Sequence, residues 1–290
     1  MRKSTALRRM LEGPEIVVLP GAYDALSARL AEQAGFSTVF TTGFGFSAAT
    51  LGAPDIGLMT ASEILERARH VVEAVDVPVV ADMDTGYGNP LNVIRTVREC
   101  VNAGVAGIIL EDQEWPKKCG HFEGKRVIRA EDQVQKLRAA VEARGDDDLV
   151  VIGRTDARGP LGLDEAIRRG RLYREAGADV VFVEAPQSLD ELKAITAAFP
   201  DGTPLFANMI EGGKTPVLSS SELQALGFKV VVYPLSALFA AASAIREIYR
   251  ELFETKTTAG RQSALVGFRE FEEIVAAPRW RETETRFATR

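Results

Sequence analysis

Acidic side chains recur where short apolar segments of this chain end. Asp82 and Asp84 close one such segment, and Glu111 and Asp112 close the next. Side chains alternate along an extended strand, so Asp82 and Asp84 point to the same side. Three later segments end in polar residues as well, namely Arg154 with Asp156, Glu184, and Asn208.

These acidic side chains could bind a metal ion if they converge at one place. Carboxylates gathered at one place repel one another unless a cation lies between them. Oxygen ligands without a nearby histidine favour magnesium or manganese over zinc. A single acid at such a position would more often be a solvated loop residue or a helix N-cap. Several converging segment ends favour a Mg²⁺ site, with Mn²⁺ as the alternative metal.

The segment Lys117–His121, Lys-Lys-Cys-Gly-His, is a second candidate for chemistry. Lysines beside a thiol stabilise the thiolate, so we expect Cys119 to ionise more easily than an isolated cysteine. Pro116, Gly120 and Gly124 suit a loop that opens and closes over a substrate. The alternative is an exposed basic loop with an incidental cysteine.

The elements that must position these residues alternate along the whole chain. Short apolar runs typical of buried strands are Ile16–Pro20, Thr38–Thr42, Pro78–Met83, Gly107–Glu111, Leu149–Arg154, Val180–Ala185, Pro204–Asn208 and Val230–Pro234. Helical patterns between them include Ser27–Gln33, Ala61–Val75, Leu91–Asn102, Glu131–Arg144, Leu163–Glu175 and Leu189–Ala198.

Eight strand-then-helix units predict a single closed (β/α)8 barrel, a TIM barrel. An open doubly wound sheet is the alternative, but no Gly-x-Gly-x-x-Gly sequence follows the first strand. In a barrel of this kind the loops after the strands build the active face, which brings the acids and the Lys117–His121 loop to one mouth.

The sequence predicts a catalytic barrel domain over residues 1–258, which includes a short N-terminal helix, and a C-terminal helical extension over 259–290. In the extension, Phe268, Phe271, Ile274 and Val275 recur at three- and four-residue spacings. A closed barrel already covers its own sheet, so this apolar face needs another surface. That surface is either a neighbouring subunit or the chain's own barrel.

The amino-acid composition limits the classes of partner and the cellular compartment that we expect for this protein. Of 290 residues, 41 are acidic and 35 basic, giving a net charge of -6, which argues against nucleic acid or an anionic membrane as the main partner. Two cysteines exclude a disulfide framework and favour a reducing compartment. No apolar run is long enough to span a membrane. We therefore expect a cytoplasmic protein, although the Arg-rich first twelve residues leave a short organellar presequence open.

Taken together, the motifs resemble the isocitrate lyase and phosphoenolpyruvate mutase superfamily from about residue 15 to 255. The segments that carry the resemblance are Thr41–Gly43, Leu51–Asp55, Asp82–Gly88, Leu110–Gln113, Lys117–His121, Arg154–Ala157 and Ala207–Pro216. Within the superfamily the Lys-Lys-Cys-Gly-His loop marks the carbon–carbon lyase branch, that of 2,3-dimethylmalate and methylisocitrate lyases. Carboxyphosphonoenolpyruvate phosphonomutases share a similar loop.

The resemblance implies a role for each candidate residue. Asp82 would bind Mg²⁺ directly, while Asp84, Glu111 and Asp55 would hold its bound waters. The backbone amides of Thr42, Gly43 and Phe44 would bind the carboxylate of a pyruvate unit. The other half of the substrate would be held by Arg154, Glu184 and Asn208. Cys119 would protonate the departing enolate, with Lys117 and His121 positioning or polarising it.

The implied activity is a Mg²⁺-dependent cleavage of a 2-hydroxy di- or tricarboxylate into pyruvate and a second carboxylate. Asp55, Glu111 and a metal-bound water are all candidates for the base that removes the hydroxyl proton. Phosphonomutase chemistry is the alternative, and a non-catalytic barrel that binds a small carboxylate is a third possibility. The chain has Phe40 where methylisocitrate lyases carry a tyrosine, so the substrate stays open. The resemblance also implies a homotetramer, a dimer of dimers with exchanged C-terminal helices.

Overall fold

The computed structural model describes residues 1–288. Among them, eight parallel strands form a closed barrel in chain order, with β1 hydrogen-bonded to β8. The strands are β1 Val17–Ala22, β2 Val39–Thr41, β3 Val79–Asp82, β4 Gly107–Glu111, β5 Val150–Thr155, β6 Val180–Val183, β7 Leu205–Asn208 and β8 Val230–Tyr233. The predicted TIM barrel is therefore confirmed, and each strand lies within two residues of its predicted bounds.

Helices follow the strands and cover the outside of the barrel. Their bounds are α1 Lys3–Glu12, α2 Ala25–Gln33, α3 Gly43–Leu51, α4 Ala61–Ala74, α5 Pro90–Asn102, α6 Ala130–Arg144, α7 Arg158–Leu161, α8 Leu163–Glu175, α9 Leu189–Ala197, α10 Ser220–Leu226, α11 Ser236–Thr255, α12 Phe268–Ile274 and α13 Ala277–Phe287, with a 3₁₀ helix at Ala259–Ala264. Local sequence fixes several starts. Thr60 and Glu63 form a capping box at α4, and Asn89 caps α5 just before Pro90.

The barrel interior is a packed apolar core rather than a pore. Phe40, Ile109, Phe182 and Phe206 are among its buried residues. The predicted N-terminal helix closes the end opposite the strand C-termini, since Leu7 of α1 belongs to the same core. The floor of the barrel is thus sealed, and chemistry is confined to the other end.

The C-terminal helices differ from the rest of the shell. Helix α11 has no buried residue over its 20 residues. The predicted amphipathic stretch after Val266 is two short helices, because the backbone turns at Ala276 with a φ of 54°. Helix α12 packs on α2 of the same chain, where Gln33 Nε2 donates to the Ile274 carbonyl at 3.3 Å. Part of the extension therefore rests on its own barrel.

In the described residues 1–288, no helix combines the length and the apolar composition needed to cross a membrane.

Candidate active site

The predicted polar residues meet at the mouth formed by the strand C-termini. Asp82, Glu111 and Asn208 are the last residues of β3, β4 and β7. Arg154 lies in β5, and Glu184 directly follows β6. All five reach the mouth because parallel strands of a barrel end on the same face.

The cation among the carboxylates is a lysine in this structure. Lys117 Nζ lies 2.6 Å from Asp55 Oδ1 and 2.6 Å from Asp84 Oδ1, and the lysine side chain is 3 % exposed. Although burial lowers the pKa of Lys117, the carboxylates of Asp84 and Asp55 raise it well above its usual value. Lys117 therefore stays protonated and neutralises this side of the mouth.

A second charged network holds Arg154. Its guanidinium donates to Asp156 through Nε at 2.9 Å and through Nη2 at 3.1 Å, and Nη2 lies 3.3 Å from Glu111 Oε2. Burial would raise the pKa of Asp156, but Arg154 and Lys125 together hold it far below its usual value. Burial raises the pKa of Glu111 well above its usual range, even though Arg154 opposes this.

The loop of residues 115–125, called the lid below, is closed over the mouth. Lys125 Nζ donates to the Gly120 carbonyl of the lid and to Asp156 Oδ1, the latter at 2.8 Å. Gln113 donates to the Lys118 carbonyl at 2.8 Å and accepts from its amide at 3.0 Å. Sequence reasoning assigned no role to Lys125 or Gln113.

Gly120 lets the lid lie directly on the barrel. A Cβ at this position would be 2.5 Å from both Arg154 Nη2 and Glu184 Oε1, closer than real contacts allow. The cavity left beneath the lid has a volume of about 40 Å³, and Phe40, Asp82, Cys119 and Arg154 are among the residues that line it. In the structure of residues 1–288 the lid is therefore closed over the barrel mouth.

The prediction that Cys119 ionises easily is wrong for this closed state. Burial raises the pKa of its thiol to about 12, and the nearby carboxylates of Asp55 and Glu184 add to the effect. The neighbouring Lys117 does not compensate, because its ammonium is held by Asp55 and Asp84. Cys119 is therefore a buried, protonated thiol, which suits a proton donor better than a nucleophile.

His121 and Glu184 bring the lid and the barrel together. His121 Nε2 lies 3.0 Å from Glu184 Oε1, while Nδ1 accepts from the Lys214 amide at 2.8 Å. Asn208 Nδ2 donates to the same carboxylate at 3.1 Å. Burial raises the pKa of Glu184, but Arg154 and His121 outweigh it and bring the pKa below its usual value.

Of the three backbone amides predicted to bind the pyruvate carboxylate, the structure leaves two free. The Thr42 amide donates to the Ala22 carbonyl at 3.3 Å in the barrel sheet, so it is not free to bind a substrate. Thr42 instead caps α3, its Oγ1 accepting from the Gly45 amide. The amides of Gly43 and Phe44 remain at the N-terminus of α3, where a helix has no partner of its own for them. A Cβ on Gly43 would lie 3.2 Å from Asp82 Oδ2, so this N-terminus adjoins the acids.

Asp112 does not belong to the mouth, contrary to the expectation that the Glu111-Asp112 pair would converge there. Its carboxylate accepts from Tyr173 Oη at 2.6 Å, from Arg169 Nη1 at 2.9 Å and from Thr155 Oγ1 at 2.8 Å. Neighbouring residues at a strand end point to opposite faces, so Glu111 faces the interior and Asp112 faces α8.

Across the described residues 1–288, no three His, Cys, Asp or Glu side chains form a ready-made metal cluster. The family resemblance implies a direct bond from Asp82 alone, with Asp84, Glu111 and Asp55 acting through waters. The metal site therefore stays a prediction.

A closed barrel whose mouth holds carboxylates, an arginine and a protonated thiol beneath a shut loop is that of a TIM-barrel enzyme. The chain belongs to the phosphoenolpyruvate phosphomutase family, whose model matches residues 7–253. Its relatives in the isocitrate lyase and phosphoenolpyruvate mutase superfamily are named lyases and mutases.

Individual relatives cover nearly the whole chain. The 2,3-dimethylmalate lyase of Eubacterium barkeri is 45% identical over 289 residues, which is 100% of this chain and 99% of the relative. The chloroplastic carboxyvinyl-carboxyphosphonate phosphorylmutase of Arabidopsis thaliana is 45% identical, covering 99% of this chain and 85% of that protein. A solved phosphonopyruvate hydrolase in complex with oxalate and Mg²⁺ has a TM-score of 0.90 at 34% identity, covering 99% of both chains.

Proposed function

We propose that the protein is a Mg²⁺-dependent lyase that splits a 2-hydroxy di- or tricarboxylate, of the 2,3-dimethylmalate or 2-methylisocitrate type, into pyruvate and a second carboxylate. The observation that carries the proposal is the protonated Cys119 thiol, held by the closed lid above an acidic mouth. Full-length similarity to a 2,3-dimethylmalate lyase supports the substrate class.

The site must supply a base, a group that stabilises negative charge, and a proton donor. The base removes the C2 hydroxyl proton, the C2–C3 bond breaks, and the electron pair of that bond passes into the departing carboxylate, which becomes an enolate. A proton must then reach C3, and the negative charge must be stabilised until it does. A buried thiol with a raised pKa supplies that proton at neutral pH, where an exposed cysteine would lose part of its own.

The residues present fit a hard divalent cation. Glu111 Oε1 is buried and, within residues 1–288, accepts no hydrogen bond, while Asp84 Oδ1 faces the Lys117 ammonium at 2.6 Å. Asp82 is half-buried beside them at the mouth. These oxygens are ligands that Mg²⁺ or Mn²⁺ prefers. Asp82, Asp84 and Glu111 would hold the ion or its waters, and it would act there as a Lewis acid on substrate oxygens.

The chain's own groups bind and orient the substrate. The amides of Gly43 and Phe44, at the N-terminus of α3, suit the carboxylate of the pyruvate half. Arg154, Glu184 and Asn208 face the second half, with His121 held against Glu184. Lys117 keeps Asp55 and Asp84 in place, and Asp55 and Glu111 remain candidates for the base.

A pyruvate-coupled assay tests the proposal directly. Purified protein loaded with Mg²⁺ is expected to release pyruvate from 2,3-dimethylmalate or 2-methylisocitrate, and Cys119→Ala is expected to abolish release. A panel of substituted malates and citrates then ranks the substrates, and Phe40→Tyr tests the pocket position that departs from methylisocitrate lyases. Absence of pyruvate from the whole panel would refute the lyase assignment.

Phosphonomutase activity is a second candidate, since one close relative is a carboxyvinyl-carboxyphosphonate phosphorylmutase. Phosphorus NMR separates the two. A carbon–phosphorus signal that forms or disappears on a phosphonopyruvate-type substrate would favour the mutase. A barrel that only binds carboxylates would give neither signal nor pyruvate.

We further propose that the protein is a homotetramer. The unburied apolar side of α11, which begins directly after the barrel, is the observation that supports this.

A further inference from the structure

A second, larger cavity lies outside the barrel mouth, behind the base of the lid. Its volume is about 930 Å³, and its walls come from the loop after β3, the loop after β4 and helix α6. The residues that matter here are Tyr87, Gln113, Trp115, Ile128 and Lys136. None of the proposed chemistry uses this space.

Lys136 is the unusual member of this wall. It is 5 % exposed, yet its ammonium has no hydrogen bond or ion pair with any of the described residues 1–288. The two other buried lysines named above, Lys117 and Lys125, are both paired with carboxylates at 2.6 to 2.8 Å. The Lys136 ammonium is not among the fully enclosed polar atoms of the described residues, and its side chain lines the cavity, so an anion in this space would meet an unpaired cation.

In the described part of the chain, the charged side chains around Lys136 do not form an ion pair with its ammonium. The acids that act on the pKa of Lys136 are Glu111 and Asp112, and each is paired with an arginine, Glu111 Oε2 with Arg154 and Asp112 Oδ2 with Arg169. Burial lowers the pKa of Lys136 to about 8, and it remains mostly protonated at neutral pH. The other charged residue on the wall, Asp132, is exposed.

The remaining walls offer an apolar surface. Tyr87 and Trp115 lie with ring centroids 6.1 Å apart, and Trp115 is 48 % exposed. Ile128 lines the same space. Flat aromatic surface next to one cation is suited to an organic acid with an apolar body.

We propose that this cavity binds a small organic anion, with its acidic group on Lys136 and its apolar body against Trp115, Tyr87 and Ile128. The walls connect it to the active site. Tyr87 Oη donates to Asp84 Oδ2 at 3.2 Å, and Gln113 holds the lid at Lys118 through two hydrogen bonds. A bound anion therefore contacts one residue that supports the mouth and one that supports the lid.

The probe is 8-anilinonaphthalene-1-sulfonate, which carries one sulfonate on an aromatic body. The chain has two tryptophans, so the variant Trp280→Phe leaves Trp115 as the only one. In that background the probe is expected to quench Trp115 fluorescence along a saturable one-site curve. Adding Lys136→Met is expected to raise the Kd at least tenfold, because the sulfonate loses its charged partner.

Two controls separate this site from adventitious binding. Lys193→Met removes an exposed lysine and is expected to leave the Kd unchanged. The thermal midpoint of the Lys136→Met variant is expected to equal or exceed that of its parent, since Lys136 has no ion pair with the described residues and methionine keeps the apolar part of its largely buried side chain. An equal Kd with Lys136→Met would overturn the proposal. A complete lack of saturable quenching in the parent would overturn it too, as when a neighbouring subunit fills the cavity.

Discussion

The barrel mouth and the C-terminal helices of this chain differ in which side chains they bury and which they expose to water. At the mouth, charged side chains are buried, and Lys117, Lys125 and Arg154 each lie within 3 Å of a carboxylate oxygen. In the C-terminal helices, large apolar side chains face solvent, with Phe253 76 % and Phe268 84 % exposed.

The difference shows which part of the molecule one chain can complete. Buried charges are costly without partners, and the mouth supplies carboxylate partners from four different loops and strands of the same chain. Exposed apolar patches mark surfaces that another molecule covers. The charged pairs of the mouth are formed within one chain, whereas the exposed apolar side chains of α11 and the helices after it support the proposed tetramer.

The largest expected effect is at Cys119. Replacement by alanine removes the proposed proton donor, and a general acid contributes roughly 10²- to 10⁴-fold to a rate. We expect kcat for pyruvate release to fall by that factor while the circular dichroism spectrum is unchanged. Cys100→Ala, at the buried cysteine of α5, is the matched control and should retain kcat. Full activity in Cys119→Ala would contradict the role of the lid thiol.

The second effect concerns Lys117, the cation of the mouth. Lys117→Met leaves Asp55 and Asp84 buried without their partner, and breaking a buried pair in this way costs about 3 to 5 kcal/mol. Urea unfolding should report that loss. Mg²⁺ should restore more stability to the variant than to the wild type, because it can replace the missing charge among the carboxylates. Exposed Lys193→Met is the control, and an equal loss of stability in both variants would count against a paired mouth.

The third effect tests the latch between lid and barrel. Lys125→Met removes the contacts with the Gly120 carbonyl and Asp156, so the lid should open more often. Alkylation of Cys119 by iodoacetamide, followed by mass spectrometry, should then be about tenfold faster, since an exposed thiol has a lower pKa than the buried one at about 12. Lys125→Arg should restore slow alkylation. Unchanged alkylation in Lys125→Met would show that Lys125 does not hold the lid.

The smallest effect concerns assembly. Phe253→Glu places a charge on the exposed apolar side of α11 and should dissociate the proposed tetramer without reducing the stability of the barrel. Size exclusion with light scattering measures the mass, and Glu254→Ala on the same helix is the control. A wild-type mass of 31.5 kDa at micromolar concentration would show that the chain needs no partner.

The fold could be predicted because its determinants are local. Short apolar strands and intervening helical periodicity recur along the sequence, and each strand was placed within two residues. Helix α3 was missed because Gly43-Phe44-Gly45-Phe46 has neither helical periodicity nor high helix propensity. The structure shows that Thr42 caps it.

For the site, the sequence predicted which residue types lie at the mouth but not their contacts or their pKa values. Residue types at strand ends identified the mouth, but the pKa of Cys119 depends on burial and on where the Lys117 ammonium points, which neighbours in sequence do not reveal. Lys125 and Gln113 act through contacts with the lid backbone. Gln113 lies in the Leu110–Gln113 motif, but residue type alone does not reveal such contacts for either side chain. Asp112 was misplaced because its partners, Arg169 and Tyr173, come from a helix some sixty residues away.

The proton that Cys119 delivers to the released carboxylate can be followed by cleaving 2,3-dimethylmalate in D₂O and recording proton NMR spectra. We expect pyruvate and propionate in equal amounts, one deuterium at C2 of the propionate, and no reaction after removal of divalent metal. Cys119→Ala is expected to form propionate at least about 10²-fold more slowly. Propionate formed at the same rate and with the same label by Cys119→Ala would contradict this role of Cys119.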